Sequence, residues 1–212
     1  MPKRKRDEVQ RVDASTLHTQ GYVILPGFVD IPQAVTNCIY RQSTRTKPIF
    51  GPDRKRRQAR MYSRSRYMKR FTSQLNSELD QLLSSLSDNY VRDDWQILIS
   101  KEGCKRQPSH TDYEPDGGVL EVPDREVPLA AVLALEDRTN LVVWPNFINY
   151  DFDGFDQDKG ELAEFNAGDL LIFRGDLVHA GAEYPDRENV RLHCFVDHKD
   201  VDRRNNRTHL VK

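Results

Sequence analysis

The chain has few cysteines, no long apolar run and almost no net charge. Its three cysteines, Cys38, Cys104 and Cys194, form no CxxC pair and cannot all be bridged within one molecule. This usage is typical of a reducing compartment, so we expect buried or unreactive thiols.

No stretch approaches the roughly 18 apolar residues of a membrane span, and the amino terminus lacks the apolar core of a signal peptide. We therefore expect a soluble, intracellular protein. The basic run at residues 2–6 has two interpretations, a signal for nuclear import or a solvated, disordered tail.

The net charge of −1 conceals a strong asymmetry along the chain. Residues 41–70 contain twelve lysines and arginines against one acid, Asp53, whereas residues 146–165 are aromatic and acidic. With 212 residues, 37% of them hydrophobic, the chain can bury one substantial core. We predict a disordered basic tail at 1–12, one domain at 13–200 with a basic insert at 41–70, and a charged tail at 201–212.

Helical patterns come first and strand patterns follow. A short helix is expected from Asp13 to Gly21, a second from about residue 30 to 40, and an amphipathic third over residues 71–86. Apolar runs at 128–135 and 141–144, joined by five residues, are typical of a hairpin. This order predicts an α+β fold, a double-stranded β-helix (a jelly roll, cupin-like) with the N-terminal helices packed on one sheet.

His110 and Asp112 are two residues apart in a segment that follows a predicted strand. On an extended strand this spacing places an imidazole and a carboxylate on one face. A distant second histidine would complete a 2-His-1-carboxylate triad, the arrangement of non-haem Fe(II) oxygenases. The same pattern recurs at His198 and Asp200, but that copy lies in a charged segment and is interpreted as solvated surface.

His179 is the best candidate for the second histidine. It follows the apolar strand at 170–173 and precedes Gly181, where glycine allows close approach of the backbone to a ligand. Arg191 then shares one face of an alternating strand with His193. Its guanidinium requires a partner, either an ordinary surface salt bridge or the far carboxylate of a dicarboxylate ligand.

These residues together resemble the Fe(II)/2-oxoglutarate-dependent dioxygenase superfamily. The matching pieces are His110 with Asp112, the segment 168–181 that contains His179, and the segment 189–193 around Arg191. The start, residues 17–28, is similar to the amino-terminal helix and strand of the phytanoyl-CoA hydroxylase-like branch.

The resemblance implies that His110, Asp112 and His179 are iron ligands and that Arg191 anchors 2-oxoglutarate. It also implies O2 as cosubstrate, release of succinate and CO2, and hydroxylation rather than halogenation, because Asp112 is present. Asn189 and His193 are predicted to support the cosubstrate or the ligands. Many relatives have a tyrosine at the place that Ser100 occupies here, so contacts on that strand stay open.

The basic insert bears on the substrate. Its predicted nucleic-acid contacts are Arg54, Lys55, Arg56, Arg57 and Arg60. Cationic side chains neutralise phosphates, and the interleaved aromatics could stack on bases, so DNA or RNA is narrowly favoured as substrate. A protein side chain is the nearest alternative and a small metabolite the next. A jelly-roll module that binds nucleic acid without catalysis remains a further hypothesis.

Overall fold

The computed structural model describes residues 12–42, 46–49, 54–115, 118–201 and 208–211. Its helices are α1 (Ala14–Gln20), α2 (Gln33–Gln42) and α3 (Arg66–Ser84). Its strands are β1 (Tyr22–Leu25), β2 (Lys47–Pro48), β3 (Arg56–Arg60), β4 (Tyr90–Arg92), β5 (Gln96–Ser100), β6 (His110–Thr111), β7 (Leu129–Ala134), β8 (Thr139–Val143), β9 (Glu161–Phe165), β10 (Leu170–Arg174), β11 (His179–Gly181), β12 (Asn189–His198) and β13 (His209–Leu210).

The helices begin and end where local chemistry dictates. The Asp13 carboxylate accepts hydrogen bonds from the Ser15 and Thr16 amides at the start of α1, and Gly21, with φ +86°, ends that helix. Ser65 caps α3 by accepting from the Met68 amide. The expected short first helix is therefore confirmed, while α3 begins at Arg66, five residues before the expected start at residue 71.

Two antiparallel sheets face each other, as in a jelly roll. The larger has the strand order β1-β10-β7-β12-β5-β3-β2, with β4 paired to β12, and the smaller has the order β13-β6-β11-β8-β9. The side chains of β7 point alternately to the two sides of the larger sheet. Ala131 and Leu133 pack in the cluster with the helices, and Ala130 and Val132 pack between the two sheets. The predicted fold class is confirmed.

The predicted hairpin at 128–144 is wrong. β7 pairs with β10 and β12 in the larger sheet, whereas β8 pairs with β9 and β11 in the smaller one. All six residues of β7 are buried, so the strand needs cover on both faces. β8 therefore lies over β7 in the other sheet instead of beside it in the same sheet. A short linker can join two strands in either arrangement.

The predicted tails differ from the structure where it describes them. Residues 1–11 lie outside the described residues, and Val12 packs partly buried against the core. At the other end, β13 pairs with β6, and Val211 is buried, so residues 208–211 belong to the domain and not to a separate tail. Within the described residues, none of the helices combines the length and apolar character that a bilayer span requires.

Candidate metal centre

His110 and His179 lie directly opposite each other on neighbouring antiparallel strands. They are the register pair of β6 and β11, their ring centroids are 4.4 Å apart, and both side chains are buried. Facing residues on such strands point to the same side of the sheet. The jelly roll thus brings together two histidines that are far apart in the chain.

Each histidine ring is held in one tautomer by its own backbone. His110 donates its Nδ1 hydrogen to the Pro108 carbonyl oxygen at 2.7 Å, and His179 donates its own to the Leu177 carbonyl oxygen at 3.0 Å. In a neutral ring this leaves Nε2 unprotonated, with its lone pair available to a metal. Backbone carbonyls commonly orient metal-binding histidines in this way.

Asp112 completes the cluster from the segment after β6. Its backbone amide donates to the Gly175 carbonyl oxygen at 2.9 Å, which fixes the chain beside β10 and β11. Its Oδ1 lies 3.6 Å from His179 Nε2, and its Oδ2 lies 3.7 Å from His193 Nε2. Oδ2 is buried and has no hydrogen-bond partner within 3.5 Å, as expected of an atom placed to bind a cation.

The electrostatics favour ligand forms ready to bind a metal. Burial, aided by the neighbouring His179, lowers the pKa of His110 to about 4. Burial alone would raise the pKa of Asp112, but the proximity of His179 and His193 outweighs it and holds that pKa well below its usual value. Near neutral pH the site thus presents a neutral imidazole at His110 and an ionised carboxylate at Asp112.

The ligand atoms of His110, Asp112 and His179 all lie within 4.8 Å of one another. Among the described residues, this is the one group of three or more such side chains close enough to hold a metal ion. Two imidazole nitrogens and one carboxylate oxygen, with no fourth protein ligand and no thiolate, fit a metal with open coordination positions. The donor set and the orphaned Asp112 oxygen therefore fit non-haem iron.

Arg191 is buried on the strand that also carries His193. Its Nη1 donates to Ser100 Oγ at 3.0 Å and to Asn189 Oδ1 at 3.2 Å, both neutral acceptors. In the part of the chain that the structure describes, Arg191 makes no ion pair, so an ordinary salt bridge does not explain it. A buried guanidinium without a carboxylate partner favours an anionic ligand.

Asn189 and His193 occupy supporting positions. Besides accepting from Arg191, Asn189 donates from Nδ2 to Thr139 Oγ1 at 3.0 Å, so the amide orients the guanidinium. His193 lies beside Asp112 and is outside the group whose ligand atoms converge. Its position fits a supporting contact to the carboxylate better than ligation of the metal.

In the second copy of the histidine and aspartate pattern, Asp200 is exposed as expected, but His198 is buried, contrary to expectation. His198 is only 2% exposed, and its Nε2 lies 3.2 Å from Glu126 Oε2. β12 extends further than the charged sequence suggested and carries this histidine into the structure. The ring supports the fold through Glu126, since no second metal-binding group includes it within the described residues.

The five predicted nucleic-acid contacts are scattered. Arg54 is exposed, Lys55 Nζ donates to the Gly103 carbonyl oxygen, and Arg57 is half-buried against Thr46. Arg60 pairs with Asp94.

Arg56 contradicts the prediction of a phosphate contact, because its side chain is 1% exposed. Charge counting missed this because it does not show that β3 pairs with β5, which places Arg56 in register with the buried Ser100.

Comparison with solved structures places the fold. Over 87% of this chain and 80% of the other, it is similar to the non-heme alpha ketoglutarate dependent epimerase SnoN from nogalamycin biosynthesis, with 17% identity and a TM-score of 0.63. A Pseudomonas putida prolyl-4-hydroxylase shares 15% identity, TM-score 0.61, over 87% and 96% of the chains. A prolyl hydroxylase from Trichoplax adhaerens, in complex with a hypoxia inducible factor peptide fragment, shares 13% identity, TM-score 0.63, over 88% and 87%.

Comparisons that use the sequence alone find no relatives of this kind. No protein-family model matches the chain, and no curated protein matches its sequence. The solved structures cover nearly the whole described domain at low identity, so they bear on the architecture that carries the histidine and aspartate cluster. The chain therefore has the double-sheet jelly-roll fold of these enzymes.

Proposed function

We propose that the chain is an Fe(II)- and 2-oxoglutarate-dependent dioxygenase that hydroxylates its substrate. The observation that carries the proposal is the open cluster of buried His110 and His179 with the partly buried Asp112, on a jelly roll that also buries Arg191. SnoN, which has this fold, is described as alpha ketoglutarate dependent. A structural zinc site would normally close with four protein ligands, and this cluster offers three.

Three residues would bind the metal, and a fourth would bind the cosubstrate. His110 and His179 would present Nε2 to iron and Asp112 a carboxylate oxygen, while Arg191 would bind the far carboxylate of 2-oxoglutarate. Iron with 2-oxoglutarate and O2 would supply an oxidative decarboxylation to succinate and CO2, coupled to substrate hydroxylation. His110 and His179 are buried and the Asp112 side chain is 11% exposed, so little water competes for their lone pairs.

Anaerobic addition of Fe(II) and 2-oxoglutarate tests the proposal. The protein is expected to develop the weak visible charge-transfer band of the iron chelate, and Asp112→Ala is expected to abolish it. Asp200→Ala is the matched control, since it removes an aspartate two residues after a histidine but outside the cluster. If the unaltered protein gives no band, the enzymatic reading is wrong.

Nucleic acid is the substrate class that we propose. Tyr62 and Tyr67 are 49% and 67% exposed, and the Arg64 guanidinium lies 5.3 Å from the Tyr62 ring centroid. Tyr62 and Arg64 line a groove of about 480 Å³ together with Arg41 and Arg60, and we call it the basic groove. Stacking aromatics beside cations are the combination that binds single-stranded nucleic acids.

Arg60 of the basic insert lies on the face of the larger sheet that is turned toward the metal site. Arg60 is paired in register with Gln96, and Gln96 with His193, so these three side chains share one face. Since neighbouring strands lie roughly 5 Å apart, Arg60 is only two strands from the histidine beside Asp112. Among the residues that line the basic groove, Arg60 is on that face, whereas Ala59 and Met68 belong to the face that the helices cover.

Fluorescence anisotropy with a labelled single-stranded oligonucleotide tests the substrate class. Arg64→Glu is expected to weaken binding and reduce the salt dependence by about one phosphate contact, whereas Arg125→Glu, an exposed arginine outside the groove, leaves both unchanged. Absence of binding, or equal effects of the two variants, would favour a protein side chain. That second candidate is supported by the two prolyl hydroxylases of the same fold.

A further inference from the structure

The turn between β10 and β11 contacts two of the three proposed metal ligands. It runs from Arg174 to Leu177, whose amide donates to the Arg174 carbonyl oxygen at 3.0 Å, and we call it the ligand turn. The Gly175 carbonyl oxygen accepts from the Asp112 amide at 2.9 Å. The Leu177 carbonyl oxygen accepts from His179 Nδ1 at 3.0 Å. The shape of this turn therefore helps to decide where both ligands lie.

A buried ion pair holds the ligand turn from within. Arg174 and Asp176 flank Gly175 in the chain and are 2% and 1% exposed. Arg174 donates from Nε to Asp176 Oδ1 at 2.9 Å and from Nη2 to Asp176 Oδ2 at 2.8 Å. Such a two-pronged contact between guanidinium and carboxylate fixes geometry as well as distance. The two residues on either side of the Gly175 carbonyl are thus fixed relative to each other.

The same pair holds the loop that follows β8. The Asn149 amide donates to Asp176 Oδ2 at 2.9 Å, and Arg174 Nη2 donates to Asn149 Oδ1 at 2.6 Å. Asn149 and Tyr150 have φ +57° and +56°, a left-handed conformation that is uncommon for a tyrosine. From there the Tyr150 hydroxyl donates to the Tyr113 carbonyl oxygen at 3.1 Å, next to the proposed carboxylate ligand. The pair therefore supports the segment of that ligand from a second side.

Stability alone gives little reason to bury an arginine with an aspartate. The desolvation of two charges offsets much of their attraction, so apolar residues of similar volume often stabilise a fold as well or better. What the charged pair adds is direction, because a planar guanidinium fits a planar carboxylate in few orientations. Direction matters in a turn that presents two carbonyl oxygens to two metal ligands.

We propose that Arg174 and Asp176 are positioning residues, whose ion pair holds the ligand turn in the shape that brings the three ligands of a metal ion together. This inference rests on the proposed function, because it takes the cluster to be a metal site. Neither side chain contacts the ion in this role. Both act through the backbone of the turn, and so their replacement should change the geometry of the site as well as its affinity.

Co(II) titrated into the purified chain tests the proposal, since its visible absorption reports both the Kd and the arrangement of the ligands. Asp176→Asn keeps the shape of the side chain but removes its charge. It is expected to raise the Kd about 10- to 100-fold, the range for groups that orient metal ligands, and to shift the absorption bands.

Asp124→Asn is the matched control. This carboxylate also accepts from Arg174 Nη2, at 2.7 Å, but its side chain is 45% exposed and lies outside the ligand turn. An exposed ion pair contributes little, so the Kd should change less than about 2-fold and the bands should stay in place. Equal effects of Asp124→Asn and Asp176→Asn would refute the positioning role.

Two further variants separate positioning from stability. Arg174→Met combined with Asp176→Asn removes both charges, so neither member of the pair stays buried without its partner, and the fold is expected to form. Its Kd should rise about as much as in Asp176→Asn alone, because both changes break the same pair. His198→Ala destabilises the fold away from the turn and should keep the Kd and the bands of the unaltered protein. If affinity falls in His198→Ala as well, Arg174 and Asp176 have an ordinary structural role.

The outcomes distinguish this inference from the proposed function. If the unaltered protein does not bind Co(II), both fail. If it binds Co(II) but the double variant gives the same Kd and the same bands, the positioning role is refuted and the proposed function stands.

Discussion

His110 and His179 face each other across β6 and β11, and each donates its Nδ1 hydrogen to the carbonyl oxygen two residues earlier in its own segment. The same local device thus sets both rings, although they come from distant parts of the chain. Because the bonds are to the backbone, they do not depend on a side-chain partner. The two Nε2 atoms are oriented before any metal binds, which is the preorganisation that metal sites require.

The metal-free protein should lose stability as the pH falls from about 6.5 to 4. The folded protein holds the pKa of His110 at about 4, below its ordinary value of 6.5, so in this window the unfolded chain binds more protons than the folded one. Stability therefore rises with pH, by about 3 kcal/mol from this group. The free energy of unfolding, measured with urea at several pH values in this window, should change less with pH in His110→Gln than in the unaltered protein. An equal dependence on pH would contradict the assignment to His110.

Gly175→Ala should weaken metal binding although Gly175 is not a ligand. An added Cβ would lie 2.2 Å from Tyr113 Cδ2 and 3.0 Å from the Pro128 carbonyl oxygen, and the Gly175 carbonyl accepts from the Asp112 amide. Overpacking of this kind costs about 1–3 kcal/mol, and the shift of Asp112 should reduce Co(II) affinity about 10-fold or more. Gly154→Ala also strains the backbone, since Gly154 has φ +76°, but its added Cβ meets nothing within 4 Å, so it should leave Co(II) titrations unchanged.

The last strand should support the metal site from outside it. β13 pairs with β6, and Ser109 Oγ donates to the Val211 carbonyl oxygen at 3.0 Å, next to His110. Removal of residues 208–212 should raise the Kd for Co(II) about 10-fold, because β6 then loses one neighbour. Ser109→Ala removes a single bond and should give a smaller loss with unchanged circular dichroism. If the truncated protein binds Co(II) as tightly as the unaltered protein does, β13 is dispensable for the metal site.

His198 should matter for stability and not for metal binding. Its ring is buried and bonded to Glu126, so His198→Ala should lower the free energy of unfolding by about 2–4 kcal/mol through a cavity and a lost partner. Fe(II) affinity, measured in the same preparation, should not change. A loss of iron comparable to that of Asp112→Ala would mean that the two histidine and aspartate pairs are not separate.

Local patterns predicted those features that depend on short-range chemistry. The short helix that starts at Asp13, the amphipathic character of α3 and the alternation around Arg191 are set by neighbouring residues, and the structure has all three in place. The prediction of a hairpin between β7 and β8 was wrong because the length of a linker does not decide which sheet the next strand joins. The surface assignment of His198 failed because flanking charges do not reveal how far β12 continues.

The sequence by itself determined the inventory of the site: two histidines, one aspartate and one arginine, in an order and spacing that fit a jelly roll. Only the tertiary structure decided the contacts between them. Pairing of β6 with β11 placed His110 against His179, and pairing of β3 with β5 turned Arg56 from an apparent phosphate contact into a buried partner of Ser100. The physical reason is that strand order and register are fixed by burial of the whole core, a property that no local window of residues contains.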